Sequence, residues 1–286
     1  MRTDDGWRFV RMACVASLLS LLPIAGWGQK GETATDSIAA LLGAERPLYS
    51  SSYMLGIGGT QSLDTYLSQE HYNGTGITFL ATQKRRRRPS AAWSTLMEHQ
   101  ANLSLLSDRA NQTDEIEGSY RFFIGRLHRW QLLDNRLSLS AGGMAVLSLG
   151  FIYNTLGGNN PAQARVNLDI MPTGAASYRF QIGKMPFVAH YELQMPLVGL
   201  AFSPNYGQSY YEIFSRGDND HNVVPTTFVS APTFRQQFSV STPLSRRWAL
   251  RVGYLGDYEQ LQVNHLKRHV YTHRVMMGIV KEFQLL

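Results

Sequence analysis

The sequence has almost no cysteine and, beyond its N-terminus, no long apolar run. Its one cysteine, Cys14, lies among the first 28 residues, so the rest of the chain can form no disulfide and offers no thiol nucleophile. After residue 30 no stretch of eighteen consecutive apolar residues occurs, which excludes a membrane-spanning helix there. The motifs Gly-x-Ser-x-Gly, His-Glu-x-x-His and Cys-x-x-Cys are also absent. We therefore expect no metal site and no cofactor.

The N-terminal segment has the pattern of a secretory signal. Arg2, Arg8 and Arg11 precede the apolar run 12–24, and Gly26 and Gly28 supply the small residues of a cleavage site. We predict a signal peptide over residues 1–28, removed after export. A leader segment follows over residues 29–50, and residues 51–286 form one domain.

The stretch 275–283 has the alternation of a strand with one apolar face. Val275, Met277, Ile279 and Phe283 fall on one side, and Arg274, Met276, Gly278 and Glu282 fall on the other. A period of two is typical of a β-strand with one apolar face. The composition agrees, because 44% hydrophobic residues and a mean hydropathy of −0.20 suit strands that alternate between lipid and a polar lumen.

Similar stretches recur along the chain and predict ten strands. They cover residues 51–59, 74–84, 92–107, 114–127, 136–152, 164–180, 186–197, 228–242, 247–262 and 269–284. Their connections are short on one side and longer on the other, which is typical of outer-membrane barrels. We predict an all-β fold, a transmembrane antiparallel β-barrel of about ten strands (eight to twelve), in the outer membrane of a Gram-negative bacterium. Residues 198–215 could hold a further hairpin.

Four arginines lie on the predicted lumen side of these strands. Arg121, Arg235, Arg251 and Arg274 each alternate with apolar or aromatic neighbours. A charge at the lipid midplane costs roughly 2–4 kcal/mol, so the inward orientation is favoured. The arrangement predicts a lumen lined by arginine, with a small anionic ligand and the lipid of the outer membrane as partners.

The run Lys84–Arg88 is the strongest concentration of charge. Such runs often bind nucleic acid, but an exported chain rarely meets it, so we interpret the run as a solvated turn near anionic lipid headgroups and expect no nucleic-acid partner. Aromatic residues near the predicted strand ends fit interfacial girdles. They are Tyr53, Trp93, Trp130, Tyr153, Tyr178, Trp248, Tyr271 and Phe283.

The densest aromatic and polar stretch lies in the longest predicted outer connection, residues 198–227. It contains Tyr206, Tyr210 and Tyr211, which are the first candidates for ligand contact because long outer loops carry function and can constrict a lumen. The alternative is that these aromatic side chains only pack on the barrel rim.

The segments 64–68, 72–74 and 202–214 carry a resemblance. Asp64-Thr65-Tyr66-Leu67-Ser68, Tyr72-Asn73-Gly74 and the aromatic stretch from Phe202 to Phe214 resemble a Bacteroidetes-type family of exported proteins whose domain has no assigned function. The resemblance covers most of the mature chain. It implies an outer-membrane barrel and supplies no catalytic residues.

Three functions remain open at this point. The leading hypothesis is a non-enzymatic barrel, small and porin-like or ligand-binding, with an arginine-lined lumen and no catalytic residues. The second is a lipid- or peptide-hydrolysing enzyme that uses His99 with Glu98 or His190 with Glu192. The third is a structural partner of an envelope complex. His269 and His273 lie about 13 Å apart along a strand, too far to share a metal.

Overall fold

The computed structural model describes residues 48–88, 90–155, 161–245 and 247–284. The predicted signal peptide, residues 1–28, and the leader as far as residue 47 lie outside the described residues. The first strand begins at Leu48, three residues before the predicted boundary at residue 51.

Long antiparallel strands account for most of the described chain. They are β1 (Leu48–Asp64), β2 (Ser68–Arg86), β3 (Trp93–Ser107), β4 (Asp114–Leu132), β5 (Leu137–Asn154), β6 (Ala162–Ile182), β7 (Met185–Gln194), β8 (Val198–Phe202), β9 (Val223–Thr227), β10 (Phe234–Pro243), β11 (Trp248–Val263) and β12 (Leu266–Gln284). One helix, α1 (Tyr210–Ser215), lies between β8 and β9. No helix in these ranges is long and apolar enough to cross a membrane.

The sheet closes on itself. From β1 to β7 each strand pairs with the next one in the sequence. β7 then pairs with β10, β10 with β11 and β11 with β12. The last strand, β12, pairs with β1 from Leu48↔Gln284 to Asp64↔Arg268. The result is a closed antiparallel barrel of ten strands around the wall, which confirms the predicted fold class.

The seventh and eighth wall strands are each interrupted. β7 and β8 run along β6 in succession, with Thr173↔Gln194 below the break and Ile170↔Val198 above it. β9 and β10 pair with β8 and β7 in the same way, but residues 228–233 lie between them as an insertion. The additional hairpin predicted within 198–215 is therefore only partly correct, because β8 lies there but its partner β9 begins at Val223 and α1 occupies 210–215. Both strands continue the wall rather than adding to the count of ten.

The two ends of the barrel differ in their connections. We call the end with the short connections from β2 to β3, β4 to β5, β6 to β7 and β10 to β11 the inner end, and the opposite end the outer end. The outer end carries segment 203–222, which includes α1, but two of its predicted loops are shorter than expected. The strands continue to a three-residue turn at 65–67 and to a two-residue turn, Asn264-His265, where both residues have positive φ.

Alternation along the strands sorts apolar residues to the outer wall and polar ones to the lumen. On β12, Val275 and Met277 are 66% and 60% exposed, whereas Arg274 and Met276 are fully buried. The same alternation brings Leu55, Ile124 and other large apolar side chains to the outer wall. An apolar outer surface around a polar interior is the arrangement expected of a barrel in lipid.

Apolar side chains fill part of the lumen. Leu96, Phe123, Leu127, Met144, Val146 and Met171 form one buried cluster. Met54, Leu80, Leu255 and Met276 form a second. We call these two clusters together the apolar plug.

Candidate functional site

A network of charged and amide side chains crosses the lumen beside the apolar plug. Its centre is Arg235 on β10, whose guanidinium lies 3.3 Å from a Glu98 carboxylate oxygen on β3 and 3.4 Å from one of Glu192 on β7. Arg235 Nε also donates to the Gln100 side-chain oxygen at 2.8 Å. Because four wall strands separate β3 from β10 in either direction, this contact spans the diameter of the barrel.

A second bridge crosses the lumen one strand further round. Gln100 Nε2 donates to Asp257 on β11 at 2.9 Å, and Arg121 on β4 donates to the same carboxylate at 2.9 Å. Arg121 also pairs with Glu259. We call the set from Glu192 through Arg235, Gln100 and Asp257 to Arg121 the cross-lumen network.

Further ion pairs continue toward the outer end. Arg165 on β6 pairs with Glu117 and lies 3.5 Å from a Glu259 oxygen. A cavity of about 30 Å³ beside Arg121 and Glu259 is the space left there, enough for a water molecule or two. The paired side chains therefore leave little space in this part of the lumen.

Arg274 makes contacts on its own side of the wall only. Its guanidinium donates to the hydroxyls of Thr60, Thr78 and Ser104 and to the Gly59 carbonyl, at 2.5 to 3.1 Å. These partners belong to β1, β2 and β3, the strands that follow β12 round the barrel. Gly76 leaves the space for it, because a Cβ there would come within 2.6 Å of Arg274 Nη2.

The cross-lumen network rests on the apolar plug. The Arg235 guanidinium carbon lies 5.0 Å from the centre of the Phe123 ring. On the inner side, the fourth predicted arginine, Arg251, is half-buried and donates to Ser241 at 2.9 Å and to Ser52 at 3.3 Å. The four predicted arginines therefore all face the lumen but do not converge on one point.

Segment 203–222 at the outer end is held by hydrogen bonds. The buried Asn222 amide donates to Gln208 Oε1 at 2.7 Å, and Gln208 Nε2 donates to the Asp218 carbonyl at 2.7 Å. Asn264, in the β11–β12 turn, donates to the carbonyls of Ser203 and His221. These amides fix the segment to the barrel.

Helix α1 begins with a capping box. Ser209 accepts from the Glu212 amide, and the Glu212 carboxylate accepts from the Ser209 amide at 2.8 Å. These bonds to the charged form lower the pKa of Glu212. The short helix is therefore stabilised at its first turn.

The three tyrosines predicted in this segment have different surroundings. Tyr210 is half-buried, accepts from the Ala164 amide at 2.7 Å and packs edge-on against Tyr66. Burial raises the pKa of Tyr210 to about 12. Tyr206 and Tyr211, by contrast, are 68% and 63% exposed. Phe214 of the same helix is also largely exposed.

Of the two predicted histidine and glutamate pairs, one is separated and one is assembled. His99 lies on the outer wall beside Tyr120, while Glu98 faces the lumen, so they cannot act together. His190 Nδ1 lies 2.9 Å from Ser177 Oγ, and its Nε2 lies 3.8 Å from Glu192. His269 stacks on Tyr271, and His273 contacts Tyr254, both on the outer wall. No three metal-ligating side chains are grouped within the described ranges.

The sequence reasoning identified the arginines but missed their partners. Glu98, Glu117, Glu192, Asp257 and Glu259 all lie at lumen positions of the predicted strands, so the same alternation could have found them. Their presence makes the middle of the lumen a paired network rather than a surface of arginine alone.

Comparisons with solved structures return distant likenesses among outer-membrane proteins. The translocator domain of the autotransporter NalP from Neisseria meningitidis is 11% identical with a TM-score of 0.38, and the match covers 96% of both chains. The outer membrane protease OmpT from Escherichia coli is 6% identical with a TM-score of 0.39, covering 82% of this chain and 97% of that one. A FadL homologue from Pseudomonas aeruginosa is 8% identical with a TM-score of 0.30, covering 84% and 90%. The strand pairing itself establishes the barrel.

No curated protein sequence matches the chain. A family model does match it over residues 29–286, that of the protein of unknown function DUF3316. The match covers the whole barrel and bears neither on an activity nor on the Bacteroidetes-type origin that the resemblance implied. The chain belongs to the DUF3316 family.

Proposed function

We propose that the protein is a ligand-binding barrel of the Gram-negative outer membrane whose lumen is closed to free diffusion. The observation that carries this proposal is the cross-lumen network, in which Arg235 and Gln100 meet between strands on opposite sides of the barrel. Paired charges and the apolar plug lie across the lumen inside this wall.

The outer wall supports the membrane location. Large apolar side chains are exposed on it near the middle of the strands, including Leu147, Leu168 and Val275. Exposed Trp93, Trp130 and Trp248 lie near the inner end, where aromatic residues fit the boundary between lipid and water. The long connection, segment 203–222, is at the outer end, so in this proposal the outer end faces the cell exterior.

Segment 203–222 is the ligand-recognition surface in this proposal. Buried amides hold it, yet Tyr206 and Tyr211 present their rings to solvent. A prepositioned aromatic side chain loses little conformational freedom on binding. The exposed carboxylates of Asp218 and Asp220 in the same segment favour an organic cation as the ligand, rather than the anion predicted from the arginines. The Arg216 guanidinium carbon lies 5.6 Å from the Tyr211 ring centre, so this ring already contacts a cation in the protein itself.

Conductance in planar lipid bilayers tests the closed lumen. We expect the wild-type protein to give no stable conductance steps, and the double variant Phe123→Ala/Arg235→Ala to give them because it removes both contacts at the centre. Arg274→Gln is the matched control, since it removes a buried lumen arginine that does not cross the lumen. Stable steps from the wild type would refute the closed lumen.

Calorimetric titration with the polyamine spermidine tests the recognition surface. We expect Tyr206→Ala/Tyr211→Ala to weaken binding about tenfold, and Tyr178→Ala, an exposed aromatic at the inner end, to leave it unchanged. Absence of saturable binding to the wild type, or equal binding by the Tyr206→Ala/Tyr211→Ala variant, would contradict this assignment.

A second candidate function is supported by the contact between Ser177 and His190. A hydroxyl 2.9 Å from an imidazole nitrogen is the nucleophile and base arrangement of a serine hydrolase. Against it, Glu192 already binds Arg235 and Gln194, and Ser177 lies in register with Ser138 on one side and His190 on the other, so its backbone is engaged in the sheet. Covalent labelling by a fluorophosphonate probe in the wild type, lost in Ser177→Ala, would establish this activity.

A further inference from the structure

One row of the outer wall near the inner end brings two arginines together. The strand registers align Arg85 on β2 with Thr95 on β3, and Thr95 with Arg126 on β4. All three lie at outward positions. Two strand spacings separate the arginines, so their Cα atoms are roughly 10 Å apart, a distance at which both side chains can reach one group between them.

Each of these arginines is placed over an aromatic ring. The Arg85 guanidinium carbon lies 5.3 Å from the Tyr49 ring centre, and that of Arg126 lies 5.4 Å from the Trp93 ring centre. Such stacking holds a guanidinium while leaving its N–H groups directed away from the ring. Both arginines remain exposed, and no Asp or Glu occupies the outward positions of β1 to β5 at this level in the described ranges.

The wall next to this row is apolar in one direction and open in another. Toward the barrel centre the next outward row is Gln83, Met97 and Ile124, so the surface there is apolar on β3 and β4. Beside Arg126, Gly143 leaves open space, because a Cβ built there meets no atom within 4 Å. The row therefore combines two cations and a hydroxyl with apolar wall on one side.

We infer that Arg85, Thr95 and Arg126 bind the phosphate of an anionic phospholipid in the membrane leaflet at the inner end. The two guanidiniums donate to the phosphate oxygens, the Thr95 hydroxyl adds a third donor, and an acyl chain lies along Met97 and Ile124. Aromatic rings at this level mark the headgroup depth. The inference requires only that the barrel lies in a membrane, and it is independent of the closed lumen and of the outer recognition surface.

Native mass spectrometry of the whole protein tests this site. The protein is released from detergent micelles containing either dioleoyl phosphatidylglycerol or dioleoyl phosphatidylcholine. We expect the wild type to retain phosphatidylglycerol in preference, and Arg85→Gln/Arg126→Gln to lower the retained fraction at least tenfold. Arg109→Gln, which removes an exposed cation at the outer end, is the matched control and should match the wild type.

Thr95→Glu provides a second variant should the double variant fail to form a barrel. Its carboxylate would lie between the two guanidiniums and occupy the site, so we expect a folded barrel that does not retain the lipid. Lipid retention in this folded variant, or equal retention of phosphatidylcholine by the wild type, would overturn the inference. Displacement of the lipid by millimolar glycerol 3-phosphate would also overturn it, since it would show a site for free phosphate.

Discussion

The inner and outer ends of the barrel carry opposite charge and place it differently. Toward the outer end, carboxylates outnumber cations, and many face the lumen in ion pairs, as Glu117 does with Arg165. At the inner end, Lys and Arg dominate the turns and the strand ends, at both outward and lumen-facing positions. They are Lys84, Arg85, Arg86, Arg87, Arg88, Arg126, Arg129, Arg136, Arg179, Lys184, Arg247, Arg251 and Lys281, with Asp134 as the acidic residue of the same turns.

This difference separates two roles for charge in one protein. Buried pairs such as Arg121 with Asp257 fill the lumen and join opposite walls, so they act within the fold. Exposed cations such as Arg85 and Arg126 lie over aromatic rings on the wall, so they act on the surroundings. In the proposals made above, the first role closes the outer half of the lumen and the second brings the inner rim into contact with an anionic membrane surface.

Labelling of epitope tags on cells should show the largest effect, because a tag on one side of the membrane is either accessible to antibody or not. An epitope tag inserted near Gly217, in segment 203–222, should be accessible to antibody on intact cells. A tag at Gly183-Lys184, in an inner turn, should become accessible only after permeabilisation. The opposite labelling would exchange the two ends and place the basic rim outside the cell.

The buried charges should be more sensitive to neutralisation than the exposed ones at the same end. We expect Asp257→Asn to lower the free energy of unfolding by about 3 kcal/mol, because it removes the negative charge that Arg121 faces and one of the two oxygens that accept from Arg121 and Gln100. Asp218→Asn, the same change at an exposed site, should alter it by less than about 0.5 kcal/mol. Urea unfolding in detergent measures both. Equal effects would remove the distinction between paired interior and solvated surface.

The smallest effect concerns the recognition surface. We expect Ser209→Ala to destabilise α1 by about 1 kcal/mol, because it removes the side chain that accepts from the Glu212 amide. Amide hydrogen exchange over residues 210–216 should accelerate accordingly, whereas Ser215→Ala at the end of the helix should leave it unchanged. No acceleration in Ser209→Ala would show that packing, rather than the cap, holds the helix.

Much of the wall was predictable from the sequence, because a strand in lipid must alternate and its period is read directly from the residues. Strand β12 shows this, since Val275 and Met277 lie outward and Arg274 inward as predicted. Strand ends were less accurate at the outer end, where β1 and β2 continue beyond the predicted loop at 60–73. Polar residues such as Gln61 and Asn73 form ladder pairs there, and composition alone does not distinguish such strands from loops.

The site was only partly predictable, because contacts across a closed lumen depend on the whole ring of strands. Nothing local in the sequence pairs Gln100 with Arg235, which lie 135 residues apart. The row of Arg85, Thr95 and Arg126 likewise depends on the register of three strands. Residues 228–233 were predicted as the first part of a strand over 228–242, whereas they form the insertion between β9 and β10. An insertion between two paired strands has no distinct sequence pattern.

The pairing of β1 with β12 joins the two ends of the described chain, from Leu48 to Gln284. Contacts of such large sequence separation form slowly, because chain entropy must be lost before they contribute. Without this ladder, β1 and β12 would each have one unpaired edge beside exposed apolar side chains such as Leu55 and Val275. Closure of the ring therefore depends on the contact of largest sequence separation in the described chain, and it removes the last two open edges of the sheet.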